Sequence, residues 1–232
     1  MSAGRNTWAL IAVKRFEFAK TRLSEALDPT ARATLAEAML EDVLAALSGS
    51  SALDGALVVT SDPVAAAIAR RVGAAAADDA ENAGVNPAVR QGLKCLSRWR
   101  AGRVVVVPAD LPLLASGEVE AIVAALDETG VVLAPAERDG GTNALALSPI
   151  DLVAPAYGPN SLERHVVAAR GAGVEPRILP LAGASLDIDV PDDLDILARR
   201  GAATRSGALL QELWGAAAPR RAHPLVERIM PT

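Results

Sequence analysis

The chain has 232 residues, 51% of them hydrophobic, 22% charged and only 3% aromatic, with a net charge of −5. That length suits one α/β domain with at most a short appendage, and Cys95 as the single cysteine excludes an internal disulfide or a multi-cysteine zinc site. The acidic balance argues against a general nucleic-acid surface, and no apolar run reaches the roughly 18 residues of a membrane span.

Met1–Thr7 is polar and the first apolar run, Trp8–Val13, is too short for a secretory signal, so a cytoplasmic location is expected. Trp8–Val13 reads as the first strand. It empties into a loop where Lys14, Arg15, Lys20 and Arg22 oppose Glu17 alone. Asp28-Pro29 then supplies an N-cap and a proline at the first helical position, followed by a stripe of Leu35, Met39, Val43 and Leu47. A strand over Ala56–Thr60 precedes a helix opened by Asp62-Pro63, and Ala74–Ala77 stands as a bare alanine cluster. Asn86-Pro87 opens a helix running toward Trp99, with Cys95 packed inside it. Arg103–Pro108 is the next strand, and Val104–Val107 shows no polar alternation, which marks a central strand covered on both faces.

Ser116 is predicted to cap a helix over Gly117–Asp127, with Glu118 and Glu120 in its first turn. Val131–Pro135 and Asn143–Leu147, joined by Ala136–Thr142, read as an antiparallel pair. A helix over Asn160–Arg170, strands over Arg177–Leu181 and Leu186–Val190, and a helix over Pro191–Arg200 complete the pattern. Strands alternating with helices predict a three-layer α/β fold around a mostly parallel sheet. Residues 1–200 form the predicted domain. Residues 201–232 form an extension, with one amphipathic helix over Ser206–Trp214 and an irregular tail over Ala216–Thr232 that holds His223.

In an open α/β sheet, ligands bind beyond the carboxyl ends of the strands. After the first strand, the cluster of Lys14, Lys20 and Arg22 is either an anion site or a solvated basic loop. After the central strand, Pro108-Ala109-Asp110 places a carboxylate where it can hold a hard divalent cation, the alternative being an ordinary turn aspartate. Leu186–Val190 adds Asp187 and Asp189 on one face, and two such carboxylates repel unless a cation or solvent screens them. Arg138-Asp139-Gly140-Gly141-Thr142-Asn143 combines backbone access with side-chain donors, or is simply a turn. Tyr157-Gly158-Pro159-Asn160-Ser161 leads into a helix N-terminus suited to a carboxylate or phosphate, unless Ser161 is only a cap. His165, one turn further on, takes a supporting or structural role.

Taken as an ordered set, these pieces resemble the CofC/FbiD family of guanylyltransferases. The likeness is carried by Val13-Lys14 through Ala19-Lys20-Thr21-Arg22-Leu23, by Pro108-Ala109-Asp110-Leu111-Pro112, and by Gly141-Thr142-Asn143. Gly158-Pro159-Asn160-Ser161 with His165, and Leu186 through Leu194, continue it over residues 8 to 198. The resemblance implies a Rossmann-like, GT-A-type nucleotidyltransferase fold. It also implies transfer of GMP from GTP to a small phosphorylated acid in the making of the deazaflavin coenzyme F-420. The acids concerned are phosphoenolpyruvate, favoured here, 2-phospho-L-lactate and 3-phospho-D-glycerate. Carried over by position, Asp110, Asp187 and Asp189 are the expected Mg²⁺ ligands. Thr142, Asn143, Gly158 and Ser161 are expected at the acceptor acid. Lys14, Lys20 and Arg22 are expected at the phosphates, with Asn86 and Pro108 at the nucleotide. A homodimer, and delivery of the product to the next biosynthetic transferase, are further expectations. Molybdenum-cofactor and sugar-phosphate nucleotidyltransferases carry a glycine-rich first loop, whereas no glycine lies between Arg5 and Gly49 here. The reading from another class is a non-catalytic nucleotide-binding module, against which the three aspartates and the cationic loop weigh.

Overall fold

Aliphatic runs alternating with capped helices fold into a seven-stranded sheet covered on both faces. The computed structural model describes residues 6–79, 82–138 and 140–216. The elements are β1 (Thr7–Val13), α1 (Pro29–Ser48), β2 (Gly55–Thr60), α2 (Pro63–Arg71), β3 (Ala75–Asp78), α3 (Val85–Arg98) and β4 (Arg103–Val106). They continue with α4 (Ser116–Ala124), β5 (Gly130–Pro135), β6 (Thr142–Ser148), α5 (Ser161–Gly171), β7 (Arg177–Ile178), α6 (Pro191–Arg200) and α7 (Arg205–Ala216). The spatial order is β3-β2-β1-β4-β6-β5-β7, with β6 antiparallel to both its neighbours and the other pairings parallel.

Period-two alternation along the strands divides the interior in two. Ile11, Val58 and Val105 face α1, α2, α4, α6 and α7, while Leu10, Leu57 and Val104 face α3 and α5. Two helix starts are set as their sequence implies. Asp28 Oδ1 accepts from Ala31 N at 2.9 Å, and Asp62 Oδ1 accepts from Val64 N at 2.8 Å and Ala65 N at 3.1 Å. Asp62 does more than cap: its Oδ2 accepts from Phe16 N at 2.8 Å, so the end of β2 anchors the basic loop that follows β1.

Several sequence expectations are corrected. The alanine cluster is strand β3, paired with β2 from Ala75 to Asp78. Leu186–Val190 forms no ladder, because its backbone is engaged elsewhere: Ile188 N donates to Asp110 O at 3.2 Å, and Asp189 N and Val190 N to Asp193 Oδ2, each at 2.9 Å. The expected alternation persists all the same, with Leu186 and Ile188 buried and both aspartates half-buried. Arg177–Leu181 contributes only the two residues of β7. Ser116 is the first residue of α4 rather than its cap, and Glu118 Oε2 reaches back to Ala115 N at 3.1 Å. The helix expected over Ser206–Trp214 is present as α7, and it buries Leu210 completely in the main core. Asp139 and residues 217–232, including His223, lie outside the described residues. Among the described residues no helix is long and apolar enough to cross a membrane.

Candidate active site

The winding reverses between β1 and β4. The chain lays β2 and β3 on one side of β1, then returns to place β4 on the other. The crevice beyond the carboxyl ends at such a reversal is where open α/β sheets bind ligands. A cavity of about 620 Å³ opens there. Its walls are the loop from Lys14 to Arg22, Pro108 and Asp110 after β4, Asp189, and a far flank that includes Asp79, Asn82 and Val85.

At the centre of this wall Lys20 Nζ donates to Asp110 Oδ2, and to Asp189 Oδ1 at 2.8 Å. The side chain is 8% exposed, and the residue has left-handed backbone at φ +53°, a conformation that non-glycine residues seldom adopt without support. Burial alone would lower its pKa; the charges of Asp110 and Asp189, with their hydrogen bonds, overcome that and hold it above the ordinary lysine value. Arg22 Nη1 stands 3.8 Å from Asp189 Oδ2 with its side chain largely in solvent. Lys14 is exposed on the same rim. All three predicted cations therefore border one cavity.

Asp110, Asp187 and Asp189 form one electrostatic neighbourhood. Burial, and then the charge of Asp110, push the Asp187 carboxyl above its usual range, with Asp189 adding to the effect. Burial acts the same way on Asp189. There the charge and hydrogen bond of Lys20, with Arg22 and Arg138, win and hold the carboxyl low. Among the described residues no three carboxylate, histidine or cysteine side chains stand grouped as a metal cluster. The donors nevertheless fit a hard cation. Asp110 Oδ1 is buried with no hydrogen-bond partner among the described residues, and an ammonium already sits between Asp110 and Asp189.

Asp193 is the positioning group that the sequence did not single out. It is 1% exposed, pairs with Arg138, and accepts the N–H groups of Asp189 and Val190 on one oxygen. The first turn of α6 thereby fixes the backbone that presents Asp189. Asp79 escapes for a different reason: the strand before it, β3, shows in the sequence only as an alanine cluster.

The segments predicted to hold an acceptor do meet. Thr142 N donates to Ser161 Oγ at 2.8 Å, and Leu162 N to Gly140 O at 3.1 Å, so the glycine turn is stitched to the start of α5. Gly158, at φ +116°, makes the bend before that helix and accepts from Ser161 N at 3.1 Å. Both hydroxyl residues are buried, with Ser161 not a cap but the first residue of α5. His165, fully buried, accepts from Ala156 N at 2.9 Å through Nε2. In the neutral ring Nδ1 then carries the proton and donates to Thr142 Oγ1, 2.9 Å away. Burial, and then the charge of Arg164, lower its pKa to about 4 and keep it neutral. Each hydroxyl thus has an acceptor site engaged and its own proton left to donate. Asn143 Nδ2 reaches Asp187 Oδ1 at 3.4 Å, which joins this region to the carboxylates. Asn86 pairs with the backbone of Tyr157, its side-chain amide donating to Tyr157 O at 3.0 Å and accepting from Tyr157 N at 2.8 Å.

Residues 7–229 match the family described as guanylyl transferase CofC like. A phosphoenolpyruvate guanylyltransferase of Sphaerobacter thermophilus is 41% identical over 83% of this chain and 92% of its own. A 3-phospho-D-glycerate guanylyltransferase of Phenylobacterium zucineum is 35% identical over 88% and 95%. A 2-phospho-L-lactate guanylyltransferase of Methanothermobacter thermautotrophicus is 32% identical over 95% and 97%. In fold, the chain matches a Desulfovibrio desulfuricans G20 structure provisionally named a nucleotide-diphospho-sugar transferase, with a TM-score of 0.74, 20% identity, and coverage of 90% of this chain and 95% of that one.

Proposed function

The chain belongs to the CofC-like guanylyl transferase family, and from that premise we propose that it moves GMP from GTP to the phosphate of phosphoenolpyruvate in coenzyme F-420 biosynthesis. Guanylyl transfer to a small phosphorylated acid is common to the named relatives. The choice of phosphoenolpyruvate follows the name of the 41% identical one. The observation that carries the reading is the Lys20 bridge between Asp110 and Asp189 at the β1–β4 reversal, inside a cavity of nucleotide size.

An acceptor phosphate oxygen attacks the α-phosphorus of GTP. A new P–O bond forms as the α–β bridging bond breaks, and pyrophosphate leaves with the electron pair. A phosphate monoester is largely ionised at neutral pH, so no strong general base is required. What the chain must supply is position and positive charge. Lys14, Lys20 and Arg22 stand to neutralise the triphosphate and the departing pyrophosphate. Thr142 and Ser161 offer hydroxyl protons to the acceptor acid, and neutral His165 sets the direction of the first. Asp110, Asp187 and Asp189 would hold Mg²⁺, which when bound would offset phosphate charge. The test is pyrophosphate release from GTP with each of the three phospho-acids, with and without Mg²⁺, the products identified by mass. Absence of a guanylylated product with all three acids would end this reading.

A further inference from the structure

Asp79 lies just beyond β3, is 6% exposed, and carries a buried oxygen, Oδ1, with no hydrogen-bond partner among the described residues. Its backbone is already committed: N donates to Thr60 O at 3.2 Å, and O accepts from Asn82 N at 3.2 Å. A buried acceptor left unmet on a fixed backbone is rare in a native fold and calls for a partner, whether water, ion or ligand. Asp79 also lines the cavity that holds the Lys20 bridge.

The sheet order sets the two carboxylates apart. Asp79 follows β3 and Asp110 follows β4, with β2 and β1 between them. Three strand spacings come to about 14 Å, which is on the scale of a nucleoside triphosphate. With its phosphates at Lys20 and the strand end of β4, a nucleotide extends its base toward β3. Val85 and Ala88, at the start of α3, line the same flank and give the base an apolar neighbour.

We infer that Asp79 reads the purine, its carboxylate accepting the N1–H and the 2-amino group of guanine. The inference rests on the nucleotide reading of the cavity and goes beyond it to the origin of base choice. A carboxylate offers two acceptors side by side, and the guanine edge offers two donors side by side. Adenine presents an unprotonated N1 and no 2-amino group, so it sets a lone pair against the carboxylate and leaves that buried group unmet. The same negative charge repels a triphosphate placed the wrong way round, so the nucleotide enters in one orientation.

The test compares GTP with inosine triphosphate, which lacks only the 2-amino group, in the wild type and in Asp79→Asn. The wild type is expected to prefer GTP in kcat/KM by about tenfold or more, the loss typical of a hydrogen bond to a charged group. Asparagine keeps one acceptor but turns an amide N–H toward the other donor, so the preference should shrink to within about threefold. An unchanged ratio in Asp79→Asn overturns the inference, as does a loss shared equally by GTP and inosine triphosphate but absent with 2′-deoxy-GTP, which would assign Asp79 to the ribose. Calorimetric affinities of the wild-type protein for GDP and inosine diphosphate need neither the variant nor turnover, and equal affinities also overturn it. A protein that prefers GDP yet guanylylates none of the three phospho-acids would retain Asp79 as base reader and lose the proposed function.

Discussion

Lys20 Nζ lies 2.8 Å from Asp189 Oδ1 while also donating to Asp110, so one ammonium ties the loop after β1 to residues 90 and 169 positions further along the chain. That relationship makes Lys20→Met the most informative single change. Removing the ammonium leaves two carboxylates facing each other. Because Asp189 is 42% exposed and solvent screens it, the stability loss should be about 1–3 kcal/mol rather than that of a fully buried pair. Pyrophosphate release should fall by about a hundredfold or more, the scale of a lost transition-state contact. Kinetics alongside thermal melts check both, and wild-type turnover would reduce Lys20 to a structural bridge.

Asp193 separates position from charge. Asp193→Ala strands the N–H groups of Asp189 and Val190, an expected cost of about 1–3 kcal/mol, and should depress turnover through the misplaced Asp189. Both N–H groups go to one oxygen, and an asparagine carbonyl can take its place. Asp193→Asn keeps that acceptor and loses only the pair with Arg138, so it should lose clearly less activity than Asp193→Ala. If the two variants prove equally impaired, the charge of Asp193 matters rather than its hold on the backbone.

Thr142→Val and Ser161→Ala should each raise KM for the phospho-acid more than KM for GTP. Each removes a hydroxyl proton for which no acceptor stands among the described residues. Ser161→Ala also leaves Thr142 N without its acceptor, so its melting temperature should drop further than that of an ordinary surface variant. Steady-state titration of both substrates decides the matter. An equal rise for both would remove these residues from the acceptor site.

His165 predicts an acid limit to stability. Its pKa is lowered from 6.5 to about 4, first by burial and then by Arg164, so the folded protein declines a proton that the unfolded chain takes up. This stabilisation is fully present above about pH 6.5 and is lost as pH falls from there toward about 4, by about 3 kcal/mol over the window. Urea melts at pH 7 and pH 5 should show the decline, and His165→Gln should flatten it. A slope unchanged in the variant would place the titrating group elsewhere.

Where the sequence was legible, the reasons were local. Asp28-Pro29 and Asp62-Pro63 announce helix starts through chemistry within one turn, and Val104–Val107 announces burial by its lack of alternation. The family motifs led to Lys20, Asp110 and Asp189, which the fold brings together. What escaped was non-local or carried a misleading local signal. Alanine is a poor strand former, so β3 was invisible, and Asp79 at its end with it. Leu186–Val190 has the period of a strand, but its hydrogen bonds go to Asp110 O and Asp193, partners that only the folded chain supplies. The pairing of Asn86 with Tyr157 joins residues 71 positions apart, and no local pattern announces it.

The paired bonds between Asn86 and Tyr157 have a mechanical meaning. They rivet the first turn of α3, next to the base-side flank, to the loop that leads through Gly158 into α5. Tyr157 in turn sets its ring edge-on to His165, with centroids 5.2 Å apart, and His165 holds Thr142. With the two substrates seated as proposed, strain that one imposed on this rivet would be carried toward the seat of the other. Linkage then requires the two affinities to shift by the same factor, whichever ligand arrives first.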